Sequence, residues 1–209
     1  MPAFGLHPWF IEGQLEDWLA QLEDFLTSIP SCLGEVGLDH IKAKGETRQA
    51  QAEVLKIQLT LARKLQRPVI LHTVRALGLV LDLVEEAGPL PGFSLHAFGG
   101  PPELIVRAVK LGGYFSIGAA PLNPARAHAR EAFLAVPLDR LLIEPDAPCL
   151  IPPEEYRSFP LEDTDGSLWN HPANLAACAV GLSELRGMPV EVFTEAVWAN
   201  FHRLLGGLQ

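Results

Sequence analysis

The alternation of two kinds of apolar segment limits what this chain can fold into. Longer segments in which apolar residues recur at i, i+3, i+4 and i+7 predict amphipathic helices. Short runs rich in β-branched or aromatic residues lie between them and predict strands at residues 3–7, 32–38, 68–72, 92–98, 113–117 and 140–144. Strands and helices that alternate in this way build βαβ units, whose parallel sheet either closes into a barrel or stays open and doubly wound.

The predicted helices are bounded by residues that favour helix starts and stops. Gly112 and Gly113 end the helix that precedes one of the strands, and Pro172 suits the first position of a later helix. The helical period extends over residues 15–26, 50–65, 79–84, 104–109, 172–182 and 190–205.

The composition indicates a single domain with a buried core. The chain has 209 residues, of which 48% are hydrophobic, and this suits one domain over residues 1–209 better than two small ones. No apolar run reaches about 18 residues and no signal-peptide pattern is present, so we expect no membrane partner. The three cysteines lie far apart and form no CxxC pair, which is typical of a reducing, cytoplasmic location.

The net charge restricts the class of partner. A formal charge of −9 and a pI near 5.2 argue against a broad basic face that follows a nucleic-acid duplex. A phosphate-containing substrate stays compatible with this charge, because a bound metal ion would supply local positive charge.

Four side chains that suit a metal ion lie where predicted strands end. They are Glu35, His72, His96 and Asp146. The carboxyl ends of the strands of a βα barrel meet on one face, where such proteins build their active sites. Imidazole nitrogens and carboxylate oxygens together suit Zn²⁺, Mn²⁺ or a similar divalent ion, although each side chain alone could simply cap a strand. The set of four therefore predicts a metal site.

Several short motifs occur in the order and spacing of one known family. The segment Gly34-Glu35-Val36-Gly37-Leu38-Asp39 resembles the G-E-[IV]-G-L-D signature of TatD-like metal-dependent hydrolases. Further segments resemble that family's P-V-x-x-H at residues 68–72, H-C-F-[ST]-G at 96–100, S-I-G within 113–118, L-L-[IL]-E-T-D-A-P at 141–148, N-E-P-A at 170–173 and N-x-x-R-L-F at 200–205. Together the matches cover essentially all of the chain.

The resemblance implies a TIM-type (β/α) barrel that hydrolyses phosphodiester bonds, above all in DNA. A metal-activated water would attack the bond, with one or two divalent ions (Zn, Mn or Mg) as the cofactor. Carried over by position, the resemblance makes Glu35 a ligand that bridges two ions and gives His72 and His96 to one of them. Asp146 would bind the other ion and act as the catalytic residue that orients or deprotonates the water.

Three further residues are candidates for binding substrate. His7 lies in a G-x-H-P element of the family and either contacts the substrate or caps a turn. Asp39 either contacts the substrate or orients the loop of Glu35. The family's arginine two residues after the strand-end histidine is Val74 here, and Arg75, one position later, would replace it only in part.

The chain also departs from the family pattern at its N-terminal side. It contains no H-x-H, the element whose two histidines hold the first ion. Its first match, Gly5-Leu6-His7-Pro8, belongs to the third strand of such barrels, so we expect an incomplete barrel with about six of eight strands. Either a second copy or a partner chain covers the open barrel edge, or the reading frame begins upstream.

The sequence is also compatible with two functions other than DNA hydrolysis. Leu168 and Trp169 stand where the family has a basic residue, so that two phosphate-binding side chains of the family are missing. One alternative is a non-catalytic or weakly active homologue that serves as an interaction protein. The other is a hydrolase of amides, lactones or another non-nucleic-acid substrate, although no lysine lies near the predicted strand ends to form a carbamylated metal bridge.

Overall fold

The chain divides into two compact units in a computed structural model that describes residues 1–13 and 15–206. The first unit comprises the described residues of Met1–His96, Val106–Tyr114 and 202–206. The second comprises Ala97–Ile105 and Phe115–Phe201. One domain over residues 1–209 stays a prediction, and its residues 14 and 207–209 lie outside the described residues.

Four parallel strands form the sheet of the first unit. In the order of their pairing they are β1 (Ala3–Phe4), β2 (Cys32–Asp39), β3 (Val69–Val74) and β4 (Phe93–Leu95). Nearly every residue of β2 is buried, as expected for a parallel strand that is covered on both faces. The register of β2 on β3 shifts between Leu33 and Val36, after which Gly37 lies opposite His72.

The second unit contains one parallel and one antiparallel pair of strands. Residues 115–117 of β5 (Gly113–Ile117) pair with β6 (Leu141–Ile143) in parallel. The strands β7 (Pro160–Glu162) and β8 (Leu168–Asn170) form an antiparallel hairpin.

The predicted helices are confirmed, with differences at their ends. The helix predicted from residue 15 begins at Trp18, because Leu15 belongs to a turn in which its carbonyl accepts the Trp18 N–H (3.1 Å). Pro172 begins a short 3-10 turn, Pro172–Asn174, directly before the predicted helix. The described residues form α1 (Trp18–Ser28), α2 (Glu46–Leu65), α3 (Leu77–Ala87), α4 (Ile105–Lys110), α5 (Ala127–Ala135), α6 (Leu175–Leu185) and α7 (Val190–Leu205).

All six predicted strands are confirmed, and the elements that the sequence patterns do not predict are α5 and the β7–β8 hairpin. Each strand of the hairpin has three residues and is largely exposed, so that it carries no apolar alternation. The turn between them contains the turn signal Asp165-Gly166. None of the helices in the described part of the chain is long and apolar enough to cross a membrane.

Helix α2 packs against β2 in the first unit and buries two glutamines together with its apolar face. Gln51 and Gln58 are seven residues apart and therefore lie on the same side of the helix. Both are at most 1% exposed. Buried amides need hydrogen-bond partners, and here the partners are backbone groups of Leu6, Pro8 and Asp39.

Candidate metal centre

Three imidazoles lie around the carboxylate of Glu35 in the first unit. The shortest contact joins His72 Nδ1 to Glu35 Oε1 (2.7 Å). His96 Nε2 lies 3.9 Å from the same oxygen, and His7 Nε2 lies 3.9 Å from Oε2. Ligand atoms of His7, Glu35 and His72 all lie within 4.8 Å of one another. The structure therefore brings together the predicted ligands Glu35, His72 and His96 and adds His7, for which the sequence predicts only a substrate contact or a turn cap.

The parallel sheet explains how residues so distant in sequence meet. Glu35 and His72 lie on the adjacent strands β2 and β3, and His96 follows β4 directly. The His96 N–H donates to the Leu71 carbonyl (2.9 Å), which continues the pairing of β3 with β4. Glu35 lies midway along β2 and His72 midway along β3, so these side chains meet because β2, β3 and β4 are neighbours in one parallel sheet.

The segment that carries His7 is held by the two buried glutamines of α2. The Gln58 side chain accepts from the Leu6 N–H (2.7 Å) and donates to the Leu6 carbonyl (3.1 Å). Gln51 donates to the Pro8 carbonyl (3.0 Å) and accepts from the Asp39 N–H (3.0 Å). These bonds hold the backbone on both sides of His7, and the Trp9 N–H donates to His7 Nδ1 (3.2 Å), with Nε2 on the side of Glu35.

The charges of the cluster depend on one another. Burial alone would raise the pKa of Glu35, but the hydrogen bond from His72 and the nearby imidazoles hold it below its usual value. Burial would lower the pKa of His72, yet the carboxylates of Glu35 and Asp39 raise it. The pKa of His7 is lowered, mainly by burial. In the metal-free protein Glu35 is therefore ionised and ready to bind a cation.

Asp39 lies behind His72 and accepts hydrogen bonds from several directions. Its side chain is buried, with Oδ2 facing His72 Nε2 (3.2 Å) and accepting from the Trp9 indole N–H (2.6 Å). Oδ1 accepts from the backbone N–H groups of Ile41 and Lys42 (2.9 Å each). Burial raises the pKa of Asp39, but these bonds together lower it to about 2. In the metal-free protein His72 lies between the carboxylates of Glu35 and Asp39, and once a metal ion takes the place of the Nδ1 proton, Asp39 can still accept from Nε2–H and orient the imidazole.

Replacing Asp39 by asparagine is expected to lower the free energy of unfolding of the metal-free protein by about 2 kcal/mol at pH 7. The amide of asparagine has only one oxygen. Its N–H₂ group would therefore face another donor, either the Trp9 indole N–H or the backbone N–H groups of Ile41 and Lys42, and that hydrogen bond would be lost. Because the folded-state pKa is depressed to about 2, the stabilisation is present above the ordinary pKa of about 4 and is lost as the pH falls toward 2. Urea unfolding curves of wild type and Asp39→Asn should therefore converge in that range.

The control for this measurement is Asp24→Asn. Asp24 is exposed on α1, and the change should alter the free energy of unfolding by less than about 0.5 kcal/mol. A wild-type advantage over Asp39→Asn that stays constant from pH 7 to about 3 would contradict the ionised, hydrogen-bonded Asp39.

Trp9 is a member of the site that the sequence patterns do not predict. Its indole holds Asp39, and its ring lies 5.0 Å from the ring of His7 and 6.0 Å from that of His72. About half of the side chain is nevertheless exposed, and Lys42 Nζ lies over the ring at 5.0 Å. The one feature of the sequence that could have indicated this role is that Trp9 directly follows the G-x-H-P element, residues 5–8.

The two remaining predicted site residues, Arg75 and Asp146, each lie in a loop that follows a strand. Arg75 directly follows β3, with an exposed side chain and a left-handed backbone (φ +52°). Asp146 belongs to the second unit, where it follows β6 with φ +47°. Its carbonyl accepts from the N–H groups of Cys149 (3.0 Å) and Leu150 (3.1 Å), which closes a turn.

Asn170, in the motif at residues 170–173, holds the loop that contains Asp146. Its Nδ2 donates to the carbonyls of Pro145 (2.6 Å) and Leu150 (2.9 Å), on the two sides of Asp146. Asn174 Nδ2 donates in turn to Asn170 Oδ1 (3.1 Å). The Asn170-His171-Pro172-Ala173 motif therefore fixes the loop of the predicted catalytic residue.

The donor set of the first unit fits a divalent metal ion. Imidazole nitrogens with one carboxylate suit zinc, manganese and related ions, and three such ligands leave a position for water. The Asp39–His72 contact adds the outer carboxylate that commonly orients a metal-bound imidazole.

Comparisons with known proteins place the chain in one family. A family model described as TatD related DNase matches residues 1–206. The human protein named deoxyribonuclease TATDN3 is 29% identical over 224 aligned residues, which cover 100% of this chain and 75% of that protein. A Citrobacter koseri protein named 3'-5' ssDNA/RNA exonuclease TatD is 30% identical, over 97% of this chain and 76% of its own length.

A solved structure extends the likeness to the fold. The crystal structure of YjjV, a TatD homologue from Escherichia coli K12, matches with a TM-score of 0.83 at 29% identity, over 97% of this chain and 75% of that one. The predicted fold class, an α/β fold of the TIM-barrel type, is thereby confirmed. That the barrel is incomplete stays a prediction.

Proposed function

Because the chain belongs to the family of TatD-related DNases, we propose that it is a metal-dependent hydrolase that cleaves phosphodiester bonds in DNA. The observation that carries this proposal is the carboxylate of Glu35 among three imidazoles. The net charge of −9 disfavours a duplex held along a broad basic face. We therefore favour single-stranded DNA, the class named for the Citrobacter relative.

The residues of the first unit would hold zinc, manganese or magnesium. An ion bound there would supply the chemistry that activates water and polarises a phosphoryl oxygen. Glu35 Oε1 faces His72 and His96, whereas Oε2 faces His7, so that its two oxygens can serve ligand sets on two sides. This arrangement supports the bridging role that the family resemblance implies for Glu35. Asp39 would accept from His72 Nε2–H and orient the imidazole toward the ion.

Asp146 is our candidate for the group that accepts the proton of the attacking water. Its support is the E-x-D-A-P resemblance together with a backbone that two turn bonds and Asn170 hold in place. Arg75 is our candidate for a phosphate contact, because an exposed guanidinium that follows β3 can reach outward from the strand end.

A cytoplasmic location and a partner or second copy at the open barrel edge stay predictions of the sequence. Cys32, Cys149 and Cys178 are free thiols, which suits a reducing compartment. Light scattering on the purified protein would test the association.

Metal removal provides the direct test of the proposed function. The chelator-treated protein is expected to leave a labelled single-stranded oligonucleotide intact, and added Mn²⁺ or Zn²⁺ is expected to restore the release of nucleotides. The reason is that the chain's own residues supply no substitute for the ion in activating water. Gel analysis of the products would also show whether cleavage starts at the 3' end. Equal hydrolysis with and without the chelator would contradict the proposal, and so would intact substrate with every ion.

A further inference from the structure

The second unit contains a cleft of about 400 Å³ beside the loop of Asp146. One wall is the turn that follows β5, from Ala119 to Asn123, and the other is residues 149–153, which continue from the Asp146 turn. Both walls thus follow the carboxyl ends of the paired strands β5 and β6. This is the edge at which parallel α/β sheets bind ligands.

Two guanidinium groups, Arg126 and Arg157, line this cleft, which we call the arginine cleft. No carboxylate is among its lining residues within the described part of the chain, although the whole protein carries a net charge of −9. Arg126 is exposed and makes no ion pair with a described residue. A local excess of positive charge in an acidic protein points to an anionic ligand.

Arg157 has hydrogen-bonding capacity that the described residues do not use. Its Nη2 donates to the Pro152 carbonyl (3.2 Å), which orients the guanidinium. Its Nε is buried and has no hydrogen-bond partner among the described residues. The planar fork of a guanidinium matches the oxygens of a phosphate group in particular.

We propose that the arginine cleft binds a phosphate group of the substrate strand, with Arg157 and Arg126 as its contacts. This inference rests on the proposed function, and it names where the substrate is held. A volume of about 400 Å³ exceeds what a phosphate ion needs and lies in the range of sites for nucleotide-sized ligands.

Cys149 allows the cleft to be tested without enzymatic activity. Its thiol is exposed and lines the cleft, whereas Cys32 and Cys178 are buried. The rate at which a thiol reagent labels Cys149 therefore reports whether the cleft is occupied, and Cys149→Ser identifies the labelled site. All measurements use the full chain in chelator, so that no hydrolysis occurs and failure of the cleft is distinguishable from failure of the proposed function.

Three probes separate the sources of the phosphate: a short oligothymidylate, the same strand with an uncharged methylphosphonate backbone, and inorganic phosphate. We expect oligothymidylate at ten times its dissociation constant to slow labelling about tenfold, and the uncharged strand to give no protection. Arg157→Gln and Arg126→Gln should each weaken the binding about tenfold. Arg126 is exposed, so its variant keeps the test valid even if Arg157→Gln fails to fold.

The matched control is Arg107→Gln, which removes the same charge from an arginine that pairs with Asp82 and Glu85 in the first unit. Its binding should equal that of wild type. Protection by inorganic phosphate without protection by oligothymidylate would overturn the assignment to the substrate strand. Equal protection by the charged and uncharged strands, or equal binding by wild type and both cleft variants, would overturn the phosphate contact itself.

Discussion

Replacing Glu35 by glutamine is expected to lower metal-dependent hydrolysis about 100-fold or more, which corresponds to at least about 2.7 kcal/mol in the activation free energy. The substitution keeps the size of the side chain and removes the negative charge around which three imidazoles are arranged. Neutral imidazoles alone offer a divalent ion less electrostatic attraction, so the bound metal should fall together with the rate. Metal content after dialysis and nucleotide release from single-stranded DNA would measure the two effects.

The control for this experiment is Glu53→Gln. Glu53 is exposed on α2 and pairs only with Lys56 (3.7 Å) among the described residues, so the same chemical change there should leave the rate unchanged. Circular dichroism would show that both variants stay folded. Wild-type metal content and wild-type rate in Glu35→Gln would show that Glu35 is not a ligand.

Asp146→Asn separates the two roles proposed for Asp146. If Asp146 accepts a proton from the water, the variant loses hydrolysis while the first unit retains its ion. If it is a ligand as well, part of the bound metal is lost with the activity. Full activity in Asp146→Asn would remove the residue from the proposed mechanism, and the sites of the first unit would have to act without it.

Replacing Gly37 by alanine is expected to destabilise the protein on the order of 3–5 kcal/mol and to disrupt the metal site. Gly37 lies on β2 opposite His72, with φ +151°. A Cβ atom there would stand 2.0 Å from the His72 carbonyl oxygen and 2.8 Å from its carbonyl carbon. Backbone atoms cannot rotate away, so β2 would have to move away from β3. These two strands carry Glu35 and His72, so the movement would separate the two ligands. Urea unfolding and metal content would detect both effects.

Gly78→Ala provides the matched control for Gly37→Ala. Gly78 lies within α3, and no atom stands within 4 Å of the Cβ position. The change should stabilise the protein by about 0.5–1 kcal/mol, because alanine favours the helix more than glycine does. A free energy of unfolding for Gly37→Ala within about 1 kcal/mol of wild type would contradict the close approach of the strands.

Helices and strands with a strong apolar period could be predicted from the sequence. The run of β2 is buried almost throughout, and α7 follows its predicted bounds, because burial against other elements imposes the period on the sequence. The exposed β7–β8 hairpin could not be predicted in this way. Its three-residue strands form because the turn between them allows their backbones to pair. Neither the turn nor the pairing requires apolar side chains at alternating positions of the sequence.

The sequence by itself determined the parallel βα organisation and pointed to Glu35, His72 and His96 at strand ends. Only the tertiary structure decided that His7 faces Glu35 and that Asp39 lies behind His72 rather than on the surface. It also placed Trp9 against Asp39 and two arginines in one cleft. The reason is physical: strand ends are specified by local apolar patterns, whereas these contacts depend on the register of β2 on β3 and on hydrogen bonds between residues tens of positions apart.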